Sequence, residues 1–294
     1  MRIWTGFLIA LTALTLSPCD ARAIITRHDV DDAEYIVDGA DYPALVELFE
    51  PGDCLGNLVH PSYLLTVAHC ATDLELGASL SIGGEARTVA TITLHPRWRD
   101  GDAFDIALVG LDTPVEEIEP ISLYRAEDEV GSEIELLGRG LHGTGENGES
   151  GATDDGQLRR ATNTVDSVDD HFLRLTFDPP SREASTRLEG VGAGGDSGGP
   201  VFLRRNGITY LAGLNAWGDS CDVDVAKYTA FDHQIRVSQF VAWIDAGTSG
   251  RESEAGPSGG SRFANAECSW CSVGGERPGF GLLLLLAVAW RRRR

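Results

Sequence analysis

An all-β fold, a sandwich or barrel followed by one C-terminal helix, is what this sequence of 294 residues predicts. Two observations carry that expectation. Between Ile24 and Ala246, short apolar runs alternate with Gly, Pro, Asp and Asn, the pattern of many short strands joined by turns. Only His233 to Asp245 spaces its apolar residues (Ile235, Phe240, Val241, Ile244) at roughly helical intervals. The 35 glycines suit a loop-rich β body, and an apolar content of 42% is enough to bury a core.

In chain order, residues 1–23 read as a secretory signal peptide. Arg2 opens it, Ile3 to Leu16 is mostly apolar, and Ala21-Arg22-Ala23 fits a small-x-small cleavage site. That run is shorter than the roughly 20 residues needed to span a bilayer. A lipoprotein signal ending at Cys19 is the alternative, and Pro18 speaks against it. Export implies a compartment that permits disulfides. The strand candidates follow: Ala44–Leu48, Tyr63–Val67, Ile106–Val109, Ile134–Leu137, Val201–Leu203 and Thr209–Leu211. Residues 247–266, rich in Gly, Ser and charge, read as a flexible linker. A net charge of −21 excludes nucleic acid as a partner, because phosphates demand a basic surface.

Three motifs carry chemistry: Thr66-Val67-Ala68-His69-Cys70, Phe104-Asp105-Ile106-Ala107-Leu108-Val109 and Gly195-Asp196-Ser197-Gly198-Gly199-Pro200. A serine hydroxyl is a poor nucleophile until a hydrogen-bonded imidazole can accept its proton. That imidazole needs a buried carboxylate to hold its tautomer and stabilise the cation it becomes. In the order His, Asp, Ser, these motifs resemble the trypsin/chymotrypsin family of serine proteases over residues 24–246. A lipase would require the order Ser, Asp, His and a strand–turn–helix setting for its serine.

The resemblance implies two six-stranded antiparallel β-barrels with a C-terminal helix. It implies a serine endopeptidase acting through an acyl-enzyme on protein or peptide substrates, without cofactor or metal. Its catalytic residues would be His69, Asp105 and Ser197, and the backbone N–H groups of Gly195 and Ser197 would form the oxyanion hole. Cys54 and Cys70 would pair as a disulfide bracing the histidine loop. A new N-terminus would place an ammonium on Asp196. Signal removal after Ala23 supplies Ile24 for this, and Ile36 is the alternative start if a propeptide runs to Tyr35. Among the other histidines, His95-Pro96 is expected in a turn ahead of the Asp105 strand.

Several positions depart from the family pattern. Ala193 stands where relatives carry a disulfide cysteine, which leaves Cys221 free or paired with Cys268 or Cys271. Ala216-Trp217-Gly218 replaces Ser-Trp-Gly and lacks a hydroxyl directed at the catalytic carboxylate. Its backbone can still take substrate as an added strand. Val191 occupies the position of the acidic pocket floor of trypsins, with Gly218 and Ala226 as walls. Cleavage after small or medium apolar residues is therefore expected, since an apolar floor cannot compensate a cation's desolvation. Asp222 and Asp224 lie close enough in sequence to supply a charge.

Residues 267–294 combine Cys268-Ser269-Trp270-Cys271, the apolar run Phe280–Trp290 and four arginines. The arrangement resembles the bacterial MYXO-CTERM sorting tags, with Cys268 or Cys271 as the processing or attachment point. A membrane processing protease would then leave the protein on the cell surface. A metal or redox Cys-x-x-C and a permanent short anchor are the alternatives. A protease-like binding module at the surface, catalytically weak, is the competing function, and its signature would be a substituted triad.

Overall fold

In the computed structural model, the described residues are 24–49, 53–99, 103–150, 152, 155–219 and 226–249. The expected signal peptide, most of the expected linker, the tag-like region with Cys268 and Cys271, and the 220–225 segment with Cys221, Asp222 and Asp224 lie outside them.

Sixteen strands, two α-helices and three short 3-10 turns make up the described elements. The first sheet contains β2 (Leu45–Glu47), β3 (Leu55–His60), β4 (Tyr63–Thr66), β5 (Ser79–Ile82), β6 (Glu85–Leu94) and β7 (Ala107–Leu111). Its order is β2-β3-β4-β7-β6-β5, all antiparallel, and the end strands β2 and β5 pack together to close it. The second contains β8 (Glu133–Gly138), β10 (Arg159–Thr164), β11 (Ser167–Val168), β12 (Phe172–Thr176), β14 (Pro200–Arg205), β15 (Ile208–Asp219) and β16 (Phe231–Arg236). It runs β10-β8-β14-β15-β16-β12-β11, also antiparallel. A small third sheet sets β1 (Ile25–Thr26) between β13 (Gly190–Val191) and β9 (Gly143–Thr144). The two barrel-like sheets thus hold six and seven strands, one more than expected in the second.

Strand alternation builds the cores. In β5, Leu80 and Ile82 point inward while Ser79 and Ser81 face solvent, the period-2 pattern of a half-buried strand. One core packs Leu58, Leu64, Leu65, Val109 and Ile106; the other packs Ile134, Leu136, Val201, Leu203 and Leu173.

The C-terminal helix is shorter than its apolar spacing suggested. Residues 233–236 finish strand β16, a short 3-10 turn covers Val237–Gln239, and helix α2 spans only Val241–Thr248. Ile235 belongs to a strand buried on both faces, so its spacing to Phe240 and Val241 imitated a helical stripe.

Candidate active site

The register between β4 and β7 positions His69 and Asp105. Thr66 lies opposite Ala107, so the residues just after β4 and just before β7 share one end of the barrel. His69 sits in the first turn of the short helix α1 (Ala68–Asp73). Its backbone N–H donates to Asp105 Oδ1 at 2.8 Å, and its ring Nδ1 lies 2.6 Å from Oδ2. Asp105 is buried, while the His69 ring is partly open to solvent. Both carboxylate oxygens are engaged by one residue, which fixes the ring and leaves Nε2 as the nitrogen for proton transfer.

Ser197 lies in the loop between β13 and β14, tied to the first barrel at several points. Cys54 N–H donates to Gly195 O at 3.0 Å, Leu55 N–H to Ser197 O at 2.7 Å, and Asn57 Nδ2 to Gly198 O at 2.8 Å. Gly198 has φ +77°, and a Cβ there would stand 2.1 Å from Leu55 O, so only glycine permits this approach. Cys54 is bonded to Cys70, the residue after His69, which secures the histidine helix to the same segment. Cys54, His69 and Cys70 cluster within 4.8 Å, but both sulfurs are committed to the disulfide, so the group is not a metal site.

Gly195 has φ +93°, a conformation that turns its N–H out of the usual pairing direction. The neighbouring N–H groups of Asp196, Gly198 and Gly199 are spent on the carbonyls of Ala193, Asn215 and Asp196. Asp196 itself is fully buried. It accepts from Ile24 N (2.8 Å), Gly140 N (2.7 Å) and Ala193 N (2.9 Å). Burial nevertheless pushes its carboxyl up to about 7, against those three amides. This is the environment of a carboxylate that gains from a cation. Ile24 is completely buried beside it, whereas Ile36 is exposed and bridges to Arg159.

A cleft of about 180 Å³ opens beside Ser197, lined by Gly192, Asn215, Ala216, Trp217, Gly218 and Asp232. β15 pairs with β14 only as far as Leu214, so the β14-side edge of Ala216-Trp217-Gly218 is open to an added strand. Trp217, 43% exposed, stacks on His233 at 4.1 Å. The cleft departs from the sequence expectation at two residues. Val191 and Ala226 do not line it; they pack with Ile25 and Phe177 in a separate apolar cluster. Pairing with Ile25 holds Val191 in the small third sheet. In their place the described lining of the cleft includes Asp232 and Asn215, together with Glu149. None of these three carries a sequence motif. The one local signal for Asp232 is an acid inside the strand-like run Phe231–Arg236.

The trypsin family model matches residues 37–244, more than two thirds of the chain. The chain belongs to the trypsin family. It is 25% identical to serine protease SSP1 of Scolopendra subspinipes over 286 residues, covering 82% of this chain and 92% of that protein. Its fold is similar to that of neuropsin, a serine protease expressed in the limbic system of mouse brain. There the TM-score is 0.56 at 20% identity, covering 72% of this chain and 97% of the other. This trypsin-family chain is a serine-type endopeptidase, a hydrolase of protein or peptide substrates.

Proposed function

We propose that His69, Asp105 and Ser197 are the catalytic residues of this endopeptidase. The observation that carries the assignment is the paired contact of Asp105 with His69, through both the backbone N–H and Nδ1. In the mechanism, Ser197 Oγ attacks the scissile carbonyl and His69 Nε2 takes its proton. The N–H groups of Gly195 and Ser197 receive the oxyanion, each worth about 3–4 kcal/mol in the transition state. Collapse expels the amine, which carries the proton from His69 and leaves an acyl-enzyme. Water, deprotonated by the same ring, then releases the acid. Labelling by a fluorophosphonate tests the assignment together with casein hydrolysis. Modification at Ser197 with hydrolysis is expected. Folded protein that resists labelling would instead be the surface binding module.

Activation, in this reading, needs only removal of the signal peptide. Cleavage after Ala23 turns the Ile24 amide, already 2.8 Å from Asp196 Oδ2, into an ammonium that neutralises the buried carboxylate. The tag at 267–294 would hold the secreted enzyme at the bacterial cell surface after a membrane protease processes it near Cys268 or Cys271. Mass spectrometry of the mature termini tests both proposals. A start at Ile36, or an intact arginine tail, overturns the corresponding one.

A further inference from the structure

The segment that leads to Ser197 reads Gly192-Ala193-Gly194-Gly195-Asp196, so few side chains are available to hold it. Glycine loses more freedom on ordering than any other residue, and two in a row need bonds from outside. Ala193 and Asp196 close on each other, through Asp196 N–H to Ala193 O at 3.0 Å and Ala193 N–H to Asp196 Oδ2 at 2.9 Å. Between them, both polar groups of Gly194 are held by the 141–149 segment. Gly194 N–H donates to Glu149 Oε1 at 2.8 Å, and Leu141 N–H donates to Gly194 O at 2.6 Å. Peptide units are planar and trans, so the first bond fixes the plane before Gly194 and the second the plane after it. The second plane carries the N–H of Gly195, pointing opposite to Gly194 O.

We infer that Glu149 is a positioning residue for the oxyanion donors: its carboxylate holds the Gly194 N–H and, with Leu141, sets the direction of the Gly195 N–H. The inference rests on the proposed roles of Ser197 and Gly195. The fold places Glu149 for this task. Strand β9 pairs with β1, Gly143 opposite Ile25, and the turn after β9 closes through Gly148 N–H to Thr144 O at 2.8 Å. Glu149 follows directly and lines the cleft with Gly194 and Ser197. The strand that brings Ile24 to Asp196 therefore also anchors the Glu149 turn, which gives the N-terminus a second path to the same loop. A bond to a carboxylate is roughly twice as strong as one between neutral groups. The charge itself opposes an oxyanion developing nearby, since like charges repel. What serves catalysis is thus the acceptor oxygen and its reach, not the negative charge.

Two variants separate reach from charge. Glu149→Gln keeps an acceptor at the same distance and removes the charge, while Glu149→Asp keeps the charge and withdraws it by one methylene. Both are made in the mature enzyme and assayed on a peptidyl p-nitroanilide whose sequence matches a site the enzyme cleaves in casein. The corresponding peptide aldehyde serves as inhibitor, because its hemiacetal on Ser197 puts an oxyanion among the same donors. Glu149→Asp is expected to lower kcat about tenfold and to raise the aldehyde Ki by the same factor, with KM within about twofold of the parent. Glu149→Gln is expected to stay within about threefold of the parent in both. A loss confined to KM in Glu149→Asp would mark a merely structural turn and overturn the inference. So would kcat and Ki of Glu149→Asp within about twofold of the parent, or Glu149→Gln no faster than Glu149→Asp. Fluorophosphonate labelling of the parent separates the two levels. With a labelled parent, any of these results overturns the role of Glu149 alone, whereas a folded parent that resists labelling overturns the role of Ser197 with it.

Discussion

Replacing Asp196 with asparagine isolates the proposed activation contact. Asp196 is wholly buried, and its two oxygens take three N–H groups, from Ile24, Gly140 and Ala193. Asparagine keeps the shape and one acceptor oxygen, loses the charge, and aims an NH₂ at donors on one side. In the mature enzyme it would also strand the Ile24 ammonium in a site with no exposure. Removing one partner of a buried charge pair typically costs about 3–5 kcal/mol. At 1.4 kcal/mol per decade, that allows a fall of about 10²- to 10⁴-fold in the population with an ordered oxyanion loop. The expected result is a loss of kcat/KM in that range, with the rate of Ser197 phosphonylation falling in parallel and the far-UV spectrum unchanged. A folded variant within about threefold of the parent would refute the reasoning.

Other perturbations follow from the same geometry. Changing Cys54 and Cys70 together to alanine opens a loop of separation 16 and should cost about 3 kcal/mol of stability, read as a lower denaturant midpoint. Activity should fall further than stability requires, because the segment freed from Cys70 carries the backbone N–H of residue 54 that positions the Ser197 loop through Gly195 O. Glu129→Ala should destabilise by about 3–5 kcal/mol, since it strands Arg236, which Glu129 holds at 2.8 and 3.0 Å in a buried site. Thermal unfolding measures this. For Asp232, burial pushes the carboxyl up to about 6, against the amides of Gly192 and His233 and with Glu149 adding like charge. As pH falls through 6 the group gains its proton and the charge-assisted bond from the Gly192 N–H weakens, so KM for a peptide substrate should rise. A KM that stays level from pH 8 to about 5 would contradict this role of Asp232.

The catalytic candidates were legible because each is announced by its immediate neighbours. Asp105 precedes an apolar strand, His69 follows one, and Ser197 sits among glycines whose positive φ only they adopt readily. The cleft was not legible in that way. Ala226 was placed in its wall by counting along the chain, but residue 226 packs on Phe177 and Ile25. Asp232, six residues later, enters the cleft because β15 and β16 pair with Gly218 opposite Asp232 and with an irregularity between Asn215 and Trp217. A register between two strands joined by a long loop is a tertiary fact, and a one-residue change would turn Asp232 to the other face. The helix boundary failed for a related reason: a strand buried on both faces has no alternation to distinguish it from a helical stripe.

Asp232 has a second consequence, which follows from Ala193. With a cysteine absent there, the segment leading to Ser197 has no covalent tie from that position to the opposite wall of the cleft. The Gly192 N–H bond to Asp232 Oδ2, at 2.7 Å, spans the same gap, joining the segment after β13 to strand β16. A buried, charge-assisted bond of this kind is worth about 1.5–3 kcal/mol, comparable with the lower range for a disulfide. It differs in being conditional on charge. The carboxylate holds the two walls of the cleft at their spacing, so the charge of Asp232 and the order of the cleft are coupled through one group. A proton on Asp232 therefore weakens the brace and loosens the cleft beside Ser197.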